Sequence, residues 1–169
     1  MKAKDIAIVA FAVVLIAVLA YVWFTPSGLK PAPALSVTTL AGEKISLQEL
    51  QGRPVLVIFW ATTCPGCIKE MPHLVELYNE LKPQGLEIIG LAMAYDPEDQ
   101  VREMVRLKQL PYKIALDRDG DAARAFGDVK LTPTSFLIDP NGRIVQQKLG
   151  EMNMDALHNR ILGMLQKKG

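Results

Sequence analysis

Trp60-Ala61-Thr62-Thr63-Cys64-Pro65-Gly66-Cys67 contains both cysteines of the 169-residue chain and joins the apolar run Val55–Trp60 to a helical pattern. A C-x-x-C pair at a strand-to-helix junction reads as a dithiol that shuttles between thiol and disulfide. Rival readings of two cysteines fail by counting. A structural zinc or an iron–sulfur cluster takes about four ligands, and the chain adds only His73 and His158, neither in a ligand-spaced cluster. A purely structural disulfide across so short a loop removes little unfolded-state entropy. Chemistry accounts for the pair better than stapling does.

Working outward, Val55 to Trp60 is continuously apolar, as expected of a central strand buried on both faces. Beyond the cysteines, Ile68, Met71, Leu74, Val75, Tyr78 and Leu81 recur at helical spacing, with Pro72 inside the helix and expected to kink it. Leu86–Met93 reads as a second buried strand, Pro97–Lys108 as a helix with Val101, Met104, Val105 and Lys108 on one face, Lys113–Leu116 as a short strand, and Asp121–Phe126 as a short helix ended at Gly127. Thr134–Asp139 and Arg143–Leu149 read as antiparallel strands around Asn141-Gly142, a strong hairpin signal. The last helix, Asn153–Lys168, buries Leu157, Ile161, Met164 and Leu165. Upstream, Leu35–Leu40 and Ile45 form a small hairpin, Ser46-x-x-Glu49 offers a capping box for one helical turn, and Gly52-Arg53-Pro54 breaks the chain. The alternation predicts an α/β fold, a mixed sheet covered on both faces by helices.

With 19 basic and 18 acidic side chains, no basic stripe is available to neutralise phosphates, so nucleic-acid binding has no support. Ile6 to Phe24 is wholly apolar or aromatic, and as a helix it would span roughly 28 Å, against a hydrocarbon core of about 30 Å. Lys2 and Lys4 precede it, so the positive-inside rule expects residues 1–5 in the cytoplasm, 6–24 as a transmembrane anchor and the domain outside. A cleaved signal peptide, with Val18 and Ala20 at the cleavage pattern, is the competing reading; the apolar run is long for one and continues past Ala20. Residues 25–34 carry Pro26, Pro31 and Pro33 and read as an extended linker, with one domain over 35–169.

Cys64 is expected at the helix N-cap, because Pro65 suits the first helical position. The helix dipole favours a thiolate there by about 0.3 to 1 kcal/mol, less than one pKa unit at about 1.36 kcal/mol. Lowering a thiol from about 8.5 to near 7 also needs a hydrogen bond from the Cys67 thiol. Because nucleophilicity falls with pKa, such a shift speeds attack only about threefold. The larger gain is to Cys64 as a leaving group, which assigns Cys64 as the attacking and Cys67 as the resolving cysteine.

Phe59-Trp60-Ala61-x-x-Cys64-x-x-Cys67, then Glu70-Met71-Pro72, then Leu131-Thr132-Pro133-Thr134-Ser135-Phe136-Leu137-Ile138-Asp139 occur in that order. Over about residues 35 to 168 the chain resembles the thioredoxin superfamily, specifically the membrane-anchored thiol:disulfide interchange proteins of the TlpA, ResA and DsbE group. The resemblance implies a thioredoxin-like fold in which Pro97–Lys108 and the strand after it form a central βα insert behind the N-terminal hairpin. It implies that Pro133 is a cis-proline facing the dithiol and that Thr132 offers its backbone to a client peptide; the residues alone leave a trans proline equally open. Glu70 stands one turn beyond Cys67, where the group often has an acid. By itself it reads either as a proton-handling group or as a solvated helix glutamate, and the resemblance favours the first. Trp60 shields the dithiol, packs the core, or does both. In two places the chain departs from the pattern. Ile58 stands where cytosolic thioredoxins bury an Asp, and the Pro65-Gly66 dipeptide is unusual for the group.

Other candidates read as ordinary surface. Lys69 is expected to be a surface lysine, His73 and His158 exposed helix residues, and Asp117–Asp121 a turn and helix cap rather than a calcium loop. The resulting expectation is an extracytoplasmic thiol:disulfide oxidoreductase with no cofactor beyond its own Cys64–Cys67 disulfide and no metal. Its implied partners are protein thiols and disulfides, among them apocytochrome c or copper-site cysteines, and a membrane electron donor of the CcdA or DsbD type. A copper-binding module resembling Sco proteins is the alternative, which the C-x-x-C spacing disfavours. A peroxiredoxin reading is weaker, because Ala61 stands where its threonine is expected.

Overall fold

All six residues from Val55 to Trp60 are buried in the computed structural model, which describes residues 13–16 and 30–166. The run forms β3 (Val55–Trp60), the middle strand of a five-stranded sheet. The remaining elements, in chain order, are the hairpin β1 (Ser36–Thr38) and β2 (Lys44–Ser46), α1 (Pro65–Leu81), a 3-10 turn (Lys82–Gln84), β4 (Glu87–Ala92), α2 (Glu98–Lys108), β5 (Lys113–Leu116), α3 (Asp121–Ala125), β6 (Thr134–Ile138), β7 (Ile144–Leu149) and α4 (Met154–Gln166). The sheet order is β5-β4-β3-β6-β7, with β4 parallel to β3 and β5, and β6 antiparallel to β3 and β7. This is the mixed sheet expected, with β5, reached through α2, as its edge strand beside β4.

The unbroken apolar run of β3 has a two-faced cause. Leu56, Ile58 and Trp60 pack with α1, α2 and α4, through residues such as Met71, Leu74, Val101, Leu157 and Ile161. Val55, Val57 and Phe59 face the other way, onto Ile45 of β2, Leu47 and Leu50 just beyond it, and Ala122 and Ala123 of α3 with its C-cap Phe126. Phe59 meets Phe126 and Phe136 edge-on, with ring centroids 5.5 and 6.0 Å apart. Burying an aliphatic or aromatic side chain contributes roughly 1.5–3 kcal/mol, so alternate residues of β3 anchor both layers to one strand.

Several local expectations are corrected. The Ser46–Glu49 capping box does not form: the Ser46 hydroxyl accepts the Gln48 N–H at 3.3 Å and donates to Gln48 Oε1 at 2.6 Å, while the Glu49 N–H bonds the Ser46 carbonyl at 3.2 Å and closes a turn that does not continue as helix. The strand from Thr134 stops at Ile138, because the Asp139 carboxylate takes the N–H groups of Asn141 and Arg143 and ties the Asn141-Gly142 turn. His158 is not fully exposed; it pairs with Glu80 of α1 at 2.8 Å. Asp117 does cap α3, accepting the Ala122 and Ala123 N–H groups, both at 2.9 Å.

Among the described residues no helix is long and apolar enough to cross a membrane. The expected anchor, 6–24, lies outside the described residues except for 13–16, which are helical. Lys30 to Ala32 already hydrogen-bond to the domain, at the β6–β7 turn.

Candidate active site

The β3–α1 connection delivers Cys64 as the N-cap of α1, with extended backbone (φ −93°, ψ 106°). Its Sγ accepts the Cys67 N–H at 3.2 Å, so one of the helix's orphan donors is aimed at the sulfur. Pro65 begins the helix, where its missing N–H costs nothing. Cys64 and Cys67 are joined as a disulfide and are 7% and 4% exposed, so a client must seat closely to reach them.

Sequence reading missed what holds this loop. The buried carboxylate of Asp96, in the turn between β4 and α2, accepts the Thr62 N–H at 2.7 Å and the Thr62 hydroxyl at 2.5 Å. Thirty-four residues separate the two, and an Asp before Pro97 reads as an ordinary turn, so only the fold brings it to the dithiol.

Pro133 arrives from the far end of the chain, at the start of β6, and the Thr132–Pro133 bond is cis. A methyl placed on Gly66 would stand 3.5 Å from Pro133 Cδ and 3.6 Å from Glu151 Cγ, which puts the proline ring and Glu151 directly against the segment between the two sulfurs. Thr132 is half-exposed beside them. The Gly150 N–H donates to the Pro133 carbonyl at 2.8 Å, and Glu151 pairs with Lys69 at 2.7 Å. Lys69 is exposed, as expected, but it is tied across the site rather than free.

Glu70 is not a solvated helix residue. It is 4% exposed, and its Oε1 accepts the Met152 N–H. Burial pushes its pKa above the ordinary carboxyl value; the Met152 N–H opposes the shift, Glu151 adds to it, and His73 and Lys69 oppose it. Trp60 is both core and shield. It is 3% exposed and lines a small cavity with Ile58, Cys67, Glu70, Met71, Leu74, Gly90 and Tyr112. The geometry thus gathers Cys64, Cys67, Glu70, Trp60, Thr132 and Pro133 at one end of the sheet. A sulfur at a helix N-terminus, a second sulfur one turn on and a buried acid beneath it can exchange disulfides and take up a proton.

The AhpC/TSA family model matches residues 29–147. The thiol-disulfide oxidoreductase ResA of Bacillus thuringiensis subsp. konkukian is 40% identical over 128 residues, 76% of this chain and 73% of that protein. ResA of Bacillus subtilis is 31% identical over 128 residues, 76% and 70% of the two chains. Among solved structures, a thiol:disulfide interchange protein of the thioredoxin family from Chlorobium tepidum superposes with a TM-score of 0.75 at 25% identity, covering 83% of this chain and 99% of that one. StoA from Bacillus subtilis gives 0.66 at 25% identity, covering 78% and 98%. Sharing that much sequence and fold, and with its two sulfurs bonded at the start of α1, the chain belongs to the AhpC/TSA family and is a thiol-disulfide oxidoreductase of the ResA type.

Proposed function

We propose that the protein reduces disulfides of client proteins outside the cytoplasm, tethered by residues 6–24 as an anchor, with a linker from 25 that ends where Lys30 to Ala32 bond to the domain. One observation carries this reading: Cys64 Sγ stands at a helix N-terminus with Pro133 packed against Gly66, so the attacking sulfur and a peptide-binding edge at Thr132 share one surface. In the reduced protein the Cys64 thiolate attacks a client disulfide and forms a mixed disulfide, releasing one client thiolate. The Cys67 thiolate then attacks Cys64 Sγ. The Cys64–Cys67 bond forms, the Cys64–client bond breaks, and the second client thiolate leaves, so two electrons have passed to the client. Glu70 takes the proton that Cys67 must lose before it attacks. A membrane thiol donor of the CcdA or DsbD type restores the dithiol, and apocytochrome c or copper-site cysteines are the client class; the relatives named thiol-disulfide oxidoreductase support exchange with protein disulfides in general.

Reduction of insulin disulfides by the protein with added dithiol tests this. Cys64→Ser should abolish activity, and Cys67→Ser should accumulate a mixed disulfide with the client, because attack survives and resolution is lost. Activity persisting in Cys64→Ser overturns the assignment. Titration of the pair against glutathione or dithiothreitol buffers tests the direction, since a pair more oxidising than the client disulfides could not reduce them.

A further inference from the structure

Beneath the dithiol one buried donor has no partner. The Trp60 indole N–H finds no acceptor among the described residues, although the side chain is 97% buried. A buried N–H left unpaired costs about 1–3 kcal/mol, so such a group in a folded core calls for an occupant nearby. The cavity walled by Trp60, Cys67, Glu70, Gly90 and Tyr112 has a volume of about 10 Å³, close to the space that one water needs. The indole faces it: a methyl at Gly90, another wall residue, would stand 3.1 Å from Trp60 Nε1 and 2.7 Å from Ile114 Cδ1. The missing side chain at Gly90 and the small volume select a single small polar guest.

We propose that this cavity holds one water molecule, fixed by the Trp60 indole N–H, which carries the proton from Cys67 Sγ to the Glu70 carboxylate when the mixed disulfide is resolved. The inference rests on the thiol-exchange reading and adds a ligand and a positioning role for Trp60 and Gly90. Cys67–SH gives its proton to the water as the water gives one to Glu70. The Cys67 thiolate then attacks Cys64, the client leaves as a thiolate, and the Glu70 proton passes on to solvent or client. With Ile58 on this wall, the sheet offers no acid here, so the proton must cross to Glu70 on α1. Glu70 can receive and hold it, since burial raises its affinity for protons; Met152 N–H, His73, Lys69 and Glu151 are the other groups acting on it, and its charge in turn disfavours ionisation of Tyr112.

Two measurements on the full chain decide it. In the ¹⁵N-labelled, disulfide-bonded protein, the indole N–H assigned by its loss in Trp60→Phe should show a cross-peak to a water resident for longer than nanoseconds. In the reduced protein, Ellman's reagent should release one thiolate as Cys64 attacks and a second as Cys67 resolves the mixed disulfide. In Trp60→Phe the ratio of the second rate to the first should fall about tenfold, below the ~10²–10⁴ worth of a positioned proton-transfer group because Glu70 remains. Gly90→Ala combined with Ile114→Val, which fills the cavity while relieving the clash, should lower the ratio similarly with the indole intact. Absence of the water cross-peak overturns the proposal, and so does an unchanged ratio in both variants. A wild-type protein that never releases the second thiolate overturns the exchange reading instead, leaving the water to be judged by the cross-peak alone.

Discussion

Replacing Asp96 with alanine should loosen the dithiol loop by an amount that the structure sets. The carboxylate accepts two hydrogen bonds from Thr62, at 2.7 Å from the backbone N–H and 2.5 Å from the hydroxyl. Hydrogen bonds to charged groups contribute about 1.5–3 kcal/mol each. Thr62 is only half-buried, so water recovers part of the loss, and a net cost of about 2–3 kcal/mol follows, or roughly 6–15 °C in Tm for a domain of this size. Asp96→Asn keeps an acceptor for the N–H and a donor for the hydroxyl, so it should cost under about 1 kcal/mol by the same reasoning. Thr62→Val removes the hydroxyl alone. Combined with Asp96→Ala, it should cost less than the sum of the two single changes, by about 1 kcal/mol of coupling. Urea unfolding of wild type and the four variants, all disulfide-bonded, at neutral pH measures this. An Asp96→Ala protein within about 0.5 kcal/mol of wild type, or strictly additive changes, would refute the clamp, because surface substitutions cost no more than that.

Glu70→Gln supplies a second test, with a defined sign. The folded-state pKa of Glu70 is raised, so its stabilising contribution is complete below the ordinary carboxyl pKa and is lost as pH rises through the raised value. The glutamine variant should therefore gain stability on wild type between pH 4 and pH 7; a variant that loses ground over that interval contradicts the burial argument. The same substitution should change the pH profile of thiol alkylation, and an effect of a few tenths of a unit that vanishes with salt would reduce Glu70 to a distant charge. For the tether, mass spectrometry of the mature protein should find residues 1–24 retained. A chain beginning at Tyr21 would replace the anchor with a cleaved signal peptide.

The fold was legible where residue patterns have a single cause. A strand buried on two faces must be continuously apolar, so Val55–Trp60 announces itself; Asn141-Gly142 needs a backbone that glycine tolerates, and its φ of +76° at Gly142 bears that out. The cysteines, Pro65 and the order of motifs placed the dithiol at a helix N-terminus. What sequence could not carry was burial and partnership across distance. Glu70 stands beside the exposed Lys69 and its own charge suggests solvent, yet it faces inward because α1 turns that edge toward Met152. Asp96 and Gly90 become part of the site only through the packing of β4 beside β3. Ser46 misled because its hydroxyl bonds Gln48 rather than the Glu49 N–H that a capping box requires.

The clasp between Glu70 and the Met152 N–H gives the protein an internal indicator. An amide bonded to a carboxyl group changes its magnetic shielding when that carboxyl gains or loses a proton, whereas the amide itself does not titrate. The Met152 resonance followed across pH therefore reads the charge on Glu70 in the unmodified protein. The Gly150 amide, two residues away and bonded to the Pro133 carbonyl, serves as a neighbouring channel for movement on the client-facing side. Recording both in the disulfide and dithiol forms separates a change of protonation from a change of shape, with no label introduced beside the sulfurs.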